Sequence, residues 1–354
     1  MRIACLALSN LYNGAENMLV LVSKNLKTRH DVWYCSPEGP INTYLTDAGV
    51  THIPIKKVSV RAVKHLMKTL KPDIFLVLDN QASVVCALAS VPYVSYQHNN
   101  WPFIAGFNPY SLGMLFYCRK AIKVISVSDH LIKTFRFSKF IRDKHITIPN
   151  VVDLSNVKKL AGEMPQIKTY DFCYFGRLDH QKRPWMFLSI VKKVAEARPG
   201  TKVVMIGDGI LSNEIRALAE KMELLETIEF TGFVRNPFDY IKQSKFLVMT
   251  SLYEGHCLAV IEALSLGLPV IASRVPGLVD DIDDTCGILC DDEEAFCTAI
   301  YELLENNDLY REKSQGATER VQMLGDIDKF VENIETVCIE AHEILLRKKK
   351  RETK

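Results

Sequence analysis

The chain of 354 residues lacks any unbroken apolar run of the twenty or so residues that a membrane-spanning helix needs. A signal-peptide pattern is wanting as well: MRIACLALSN has one basic residue and a short apolar run, with neither a full hydrophobic region nor a small-residue cleavage site, and is expected to form a first strand. Paired cysteines are missing too. The ten that are present are scattered, and several fall inside apolar runs such as ACLAL, VVCALA and DFCYFG. There they read as small buried hydrophobes in a reducing cytosol, not as a disulfide framework. Cys286 and Cys290 have no second pair with which to hold a metal. There are no short repeats and no low-complexity tract.

Net charge is almost absent, at +2, but the balance is uneven along the chain. Residues 1–165 carry 20 Lys and Arg against 10 Asp and Glu. Residues 166–346 reverse this, with 18 against 31, and the end, RKKKRETK at 347–354, has 6 against 1. A basic front half on a near-neutral protein points to an anionic partner for that half alone. Membrane phospholipid or a lipid diphosphate fits; nucleic acid is set aside because the basic half carries no aromatic-rich reading motif outside its uncharged segment.

Apolar strand patterns alternate with helical ones in two rounds. The first round has strands at 3–9, 31–36, 73–79, 93–98, 123–128 and 145–150, with helical stretches such as 15–28 and 61–70. The second has strands at 171–178, 202–209, 228–233, 246–251, 269–273 and 287–290, separated by helical runs near 183–197, 212–223, 257–267 and 293–305. Fully apolar strands alternating with helices predict parallel sheets covered on both faces, and two rounds predict two doubly wound α/β domains. The boundary is expected in the polar segment 155–168, and a last helix over 326–346 closes the chain ahead of the basic tail. From Asn80 to Cys118 no residue is charged. Prolines 92, 102 and 109 exclude a span. The part WPFIAGFNPYSLGMLFYC reads as an aromatic loop, either ordinary core or a lip touching lipid.

Several residues can carry chemistry. Glu254 follows the strand FLVMTS, and Glu262 lies eight positions on, inside the helix that opens between them. A helix N-terminus offers unpaired N–H groups to a diphosphate, and the carboxyl end of a parallel strand is where open α/β sheets bind ligands. The bland alternative is two solvent-facing carboxylates. In FGRLDHQKRP, Gly176 ends a strand and Arg177 and Lys182 follow it, two cations in an acidic half that suit the charge on a departing diphosphate; otherwise they are loop charges. Gly207 and Gly209 in IGDGI permit close backbone approach, a weak signal alone. Gly14 sits in the turn after strand one, and His98 ends another strand; each is a common structural residue when met alone. The runs DDIDD (280–284) and CDDEE (290–294) imitate an Asp-x-Asp metal site but read as a solvated acidic face.

Taken in order, NGAE (13–16), His98, ISVSDHL (125–131), IPNVVD (148–153), FGRLDHQKRP (175–184), IGDG (206–209), FTGF (230–233), the Glu254/Glu262 pair, GLPVIAS (267–273) and GILC (287–290) resemble glycosyltransferase family 4, the retaining enzymes of GT-B architecture. The resemblance runs through most of the chain; each motif is weak and the ordered set is specific. It implies two Rossmann-like doubly wound domains facing a central cleft. Residues 1–160 would bind the acceptor and 161–325 the nucleotide-sugar donor. The 326–346 helix would cross back to the first domain, and 347–354 would form a basic tail. Arg177 and Lys182 would hold the donor diphosphate beside Gly176 and Gly207. Glu254 would lie near the sugar hydroxyls with the amides of Cys257, Leu258 and Ala259, and Glu262 at the ribose. The base would stack near Gly232, Phe233 and Val234. His98 would lie beside the transferred sugar and Gly14 under it.

The chemistry implied is transfer of a hexose, with retention, from a UDP-sugar to a glycan or lipid-linked acceptor in lipopolysaccharide or capsule synthesis. It would use no metal or other cofactor and would take place on the cytoplasmic face of an anionic membrane. A UDP-sugar epimerase or hydrolase, or a non-catalytic sugar-nucleotide binder, are the rival readings. Asn13 replaces a glycine common in the family's first motif, and Cys257 and Ala259 stand where Gly or Pro is common, which leaves sugar specificity open.

Overall fold

The computed structural model describes residues 1–99, 101–162, 169–322, 324 and 326–352. The chain divides into two compact units, residues 1–150 with 326–354, and residues 151–325. Residues 163–168 of the expected boundary segment lie outside the described residues. The division falls ten residues before residue 160 because the helix at Leu154–Ala161 joins the second unit: Asn236 Nδ2 and Lys242 Nζ donate to its last carbonyls, those of Leu160 and Ala161, at 3.2 and 2.7 Å.

In the first unit β1 (Arg2–Leu6) is followed by α1 (Gly14–Leu26), β2 (Asp31–Ser36), α2 (Ile41–Asp47) and β3 (Thr51–Pro54). Then come α3 (Val60–Thr69), β4 (Ile74–Leu78), α4 (Asp79–Ala89) and β5 (Tyr93–Gln97). α5 (Pro109–Lys120), β6 (Lys123–Ser126), α6 (His130–Thr134) and β7 (His145–Thr147) complete it. The strands pair in parallel in the order β3-β2-β1-β4-β5-β6-β7. The chain reverses its direction of travel across the sheet between β1 and β4, which makes that edge a topological switch point.

The sequence pattern missed β3 and misread α5. β3 is an edge strand, partly exposed and ending in Pro54, so it has no apolar run to betray it. The segment that forms α5 had been expected as an aromatic loop, with Pro109 among the prolines that exclude a membrane span. Pro109 instead takes the first helical position, where no N–H is needed, and Asn108 and Ser111 close a capping box around it, with N···O distances of 3.0 and 3.2 Å.

The second unit opens with α7 (Leu154–Ala161), followed by β8 (Tyr170–Phe175), α8 (Pro184–Ala197), β9 (Val203–Ile206), α9 (Ser212–Lys221) and β10 (Ile228–Gly232). α10 (Phe238–Lys242), β11 (Ser244–Met249), α11 (Leu258–Ser265), β12 (Val270–Ser273) and α12 (Leu278–Asp281) follow. β13 (Gly287–Cys290), α13 (Glu293–Glu305) and α14 (Asn307–Gln322) end it. Its sheet is again parallel, in the order β10-β9-β8-β11-β12-β13, with the switch point between β8 and β11. The inner strands are apolar because both faces are covered: Phe172, Phe187, Val191 and Phe246 are fully buried in one cluster.

α15 (Ile327–Glu352) returns to the first unit and packs on α1 and across β4 and β5. Its stripe of Phe330, Val331, Ile334, Val337, Cys338 and Ala341 is buried at helical spacing. Glu335 fixes it to the first unit, 2.9 Å from Arg29 and 2.6 Å from His30. The basic stretch expected as a separate tail from 347 continues this helix to Glu352. All ten cysteines are buried, and none is in a disulfide.

Candidate functional site

The switch point of the second sheet gathers four of the residues singled out in the sequence. Gly176 and Lys182 follow β8; Glu254 and Cys257 follow its neighbour β11. The Lys182 ammonium lies 2.6 Å from Glu254 Oε1 and 3.8 Å from Cys257 Sγ, and both members of the ion pair are buried. Burial works against the Lys182 charge, but the Cys257 sulfur and the Glu254 carboxylate more than offset it, so its pKa stands above that of an ordinary lysine. The lysine stem passes beside Gly176, 3.6 Å from where a Cβ would stand, an ordinary contact distance.

Neighbours that the sequence reading did not single out hold this pair in place. Gln181 Nε2 donates to the Tyr253 carbonyl at 2.9 Å and reaches Glu254 Oε2 at 3.5 Å. Arg183, in the left-handed region at φ +47°, precedes α8 and donates to the carbonyls of Thr250 and Ser251 and to Ser273 Oγ. It ties the β8, β11 and β12 ends together. Gly277, at φ +90°, presses on the Glu254 loop so closely that a Cβ would lie 2.5 Å from the Glu254 carbonyl oxygen. Its only sequence signal is the Pro276-Gly277 turn pair.

α11 begins at Leu258, as the Glu254/Glu262 spacing predicts. The N–H groups of Leu258 and Ala259, in its first turn, have no carbonyl partner within the helix. The amide of Cys257 differs: it donates to Asp281 Oδ2 at 3.0 Å. Asp281 therefore corrects the expectation of a uniformly solvated DDIDD run, since it is fully buried while Asp280 and Asp284 are exposed. His256 Nε2 lies 3.1 Å from Asp281 Oδ1. Burial pushes the Asp281 carboxyl well up and holds the His256 imidazole down to about 4, so both favour their uncharged forms. Burial likewise pushes the Cys257 thiol up to about 12. Glu262, one turn into α11 and partly exposed, has its carboxyl raised to about 8 by desolvation.

The other candidates spread along the same sheet edge. Arg177 is half exposed, 3.1 Å from Asp179, and donates to Gln181 Oε1 at 3.3 Å. Gly207 and Gly209 are also required by the packing of the protein itself. A Cβ at Gly207 would lie 2.0 Å from the Gly176 carbonyl oxygen, and one at Gly209 would lie 2.4 Å from that of Leu178. These glycines let the β8 and β9 loops pack on one another, with Gly176 N donating to Ile206 O and Leu178 N to Asp208 O. Gly232, at φ +66°, ends β10, with exposed Phe233 and half-buried Val234 after it.

In the first unit Gly14 opens α1 after β1, and His98 follows β5. Both stand at the carboxyl edge of that sheet. His98 is buried against Tyr96, with ring centroids 4.1 Å apart, and its backbone N–H donates to Asp79 Oδ1 at 3.2 Å. Asp79, the first residue of α4 after the switch-point strand β4, has φ +61°, a strained setting for a residue that is not glycine.

Residues 163–320 match the family model of glycosyl transferases group 1. An uncharacterized glycosyltransferase of Methanocaldococcus jannaschii is 30% identical over 66% of this chain, which spans 57% of that relative's length. The UDP-Gal:alpha-D-GlcNAc-diphosphoundecaprenol alpha-1,3-galactosyltransferase of Escherichia coli is 26% identical over 77% of this chain and 79% of its own. Among solved structures, Anabaena HepE in complex with UDP and glucose superposes with a TM-score of 0.82 at 17% identity, covering 96% of this chain and all of that one. The chain has the GT-B fold, and its residues 163–320 are of the group 1 glycosyl transferase family.

Proposed function

We propose that the chain transfers a hexose from a UDP-sugar to a lipid-linked glycan, with retention and without a metal, in the synthesis of a cell-surface polysaccharide such as lipopolysaccharide or capsule. The observation that carries this reading is the buried Lys182–Glu254 pair at the β8/β11 switch point, beside the start of α11. Lys182, Arg177 and the amides of Leu258 and Ala259 place positive charge where a pyrophosphate would gather negative charge as the C1–O bond to it breaks. The acceptor hydroxyl attacks C1 from the same face, and its proton passes to the departing diphosphate. Glu254, released from Lys182, accepts from the sugar hydroxyls, and Glu262 binds the ribose diol. Phe233 and Val234 flank the base, while His98 and Gly14 of the first unit serve the transferred sugar.

Support for the donor and acceptor classes comes from the relatives. HepE is seen with UDP-glucose, and the Escherichia coli relative joins a UDP-sugar to a diphosphoundecaprenol-linked sugar. The reaction is placed at the cytoplasmic face of an anionic membrane, which the basic first unit suits. Incubation with a panel of nucleotide sugars, with and without lipid-linked acceptors, tests the reading. UDP release that depends on acceptor, with an α-linked product by NMR from an α-linked donor, is expected. Equal release without acceptor would assign a hydrolase or epimerase instead, and binding without turnover a sugar-nucleotide binder.

A further inference from the structure

The uncharged segment before Arg119 leaves a set of aromatic side chains that the core does not use. Phe103, Phe107, Tyr110, Leu112 and Phe116 are exposed, Phe107 by 70%. They are not scattered singly. Phe103 and Tyr110 have ring centroids 5.7 Å apart, and Phe107 meets Phe137 at 6.1 Å. Leu112 and Phe116 follow at helical spacing on the outer face of α5, opposite buried Ser111, Met114 and Tyr117. The next residues on that face are Arg119 and Lys120. They open onto a cavity of about 290 Å³, lined also by Lys123, Lys144 and Lys348 and by one acid, Asp143. Lys144 is occupied with the carbonyls of Arg119 and Ala121, and Lys123 with Glu340. Arg119, Lys120 and Lys348 keep the mouth cationic. Lys139 and Arg136 add charge beside Phe140 and Phe137.

We infer that this face of the first unit, from Phe103 along α5 to the cavity at Arg119 and Lys120, is the surface that docks on an anionic bilayer. The aromatic side chains enter the interfacial layer, and the cations at the far end of α5 hold lipid phosphates. This rests on the proposed lipid-linked acceptor and goes further by naming the surface. Charge complementarity selects the occupant: an apolar row graded into a cationic pocket matches the acyl and phosphate layers of one leaflet. The direction of α5 adds a reason. In a parallel sheet the connecting helix starts at the carboxyl edge, so the aromatic end stands beside the edge that carries His98 and the cationic end lies about 18 Å away, at the start of β6. A lipid-linked acceptor leaving the bilayer at the aromatic end would emerge at the edge of the sheet where ligands bind.

Sedimentation of the full chain with vesicles of phosphatidylglycerol and phosphatidylcholine, or of phosphatidylcholine alone, tests this. Binding to the anionic vesicles only is expected. Phe107→Ser with Phe116→Ser should weaken it about tenfold. Arg119→Glu with Lys120→Glu should weaken it by about thirtyfold or more. UDP binding by calorimetry should stay unchanged in both, which shows that the variants are folded. Wild-type partitioning by both variants overturns the proposal. If only reversal of Lys56, Lys57, Lys64 and Lys68 on and before α3 releases the protein, the membrane reading survives and this surface does not. If the wild type ignores both vesicles, both fall. A dimer that these variants dissociate in the absence of lipid would assign the face to a second copy of the chain and overturn the proposal.

Discussion

Replacing Lys182 by methionine keeps the stem and removes the charge, which leaves Glu254 buried at the β8/β11 switch point with its cation gone. Breaking a buried pair on one side costs about 3 to 5 kcal/mol, because the remaining charge has lost its compensation. For a unit the size of residues 151–325 that is a fall in Tm of about 10 °C. The second replacement, Glu254→Gln, should return most of that loss, since removing both charges at constant shape is close to neutral. Activity should not follow stability. Lys182→Met and the double variant should both lose turnover by about two to three orders of magnitude, the size of losing one fixed charge aimed at a developing anion. Calorimetric scans paired with UDP release over a range of donor concentrations separate the two effects. If Lys182→Met melts like the wild type, Glu254 is not stranded and the pair is no structural unit. Normal turnover in the double variant would refute the catalytic part.

Three further outcomes follow from the same site. Gly277→Ala should lower Tm and depress kcat/KM together, because a Cβ at φ +90° meets the Glu254 and Gly255 carbonyl oxygens at 2.5 and 2.6 Å and must move that loop; a strain of about 1 to 3 kcal/mol should be read by denaturant unfolding. Asp281→Ala leaves the buried Cys257 N–H without its acceptor and should cost about 1 to 3 kcal/mol and weaken donor binding, whereas Asp281→Asn, which can still accept, should restore both. Glu262 binds its proton more tightly in the folded state, at about 8, than a free carboxyl does. Its share of stability is therefore full below the ordinary carboxylate range and is lost as pH rises from there to about 8. Part of Glu262 stays in water, which reduces that share to about 2 kcal/mol, and Glu262→Gln should flatten this slope in urea titrations at pH 5 to 9.

The inner strands were legible because parallel strands buried on both faces must be apolar: β2 falls where the pattern put it, and the other interior strands within a few residues. β3 was silent because an edge strand is specified by main-chain pairing to β2 more than by its own side chains. α5 was hidden by a proline whose meaning depends on the residues before and after it. In the site, the types and order of Lys182, Glu254 and Glu262 could be read, since each sits just after a strand or within the helix that follows one. Contacts could not be read. Lys182 and Glu254 are 72 residues apart and meet only because β8 and β11 are neighbours. Asp281 carries no local sign of its burial: it stands among acids that face water, and its partner is a backbone amide on another loop. The sequence also carried no sign that the IGDG glycines pack against the carbonyls of Gly176 and Leu178.

The Lys182–Glu254 pair also bears on how such a site stays selective. A buried ammonium without a partner is costly, so the carboxylate keeps it satisfied before the donor arrives. On the proposed reading a diphosphate takes the carboxylate's place at Lys182, and Glu254 is then the stranded group. UDP alone leaves it so, with Gln181 Nε2 at 3.5 Å. A nucleotide sugar brings hydroxyl donors to the same spot, so the complete donor satisfies both members of the pair and the product UDP satisfies one. The arrangement penalises the product relative to the substrate, which favours departure of UDP once the sugar has gone. It needs two strand ends held at fixed separation, which is what Arg183 provides by binding carbonyls on the loop after β11 and Ser273 on β12 from the loop after β8.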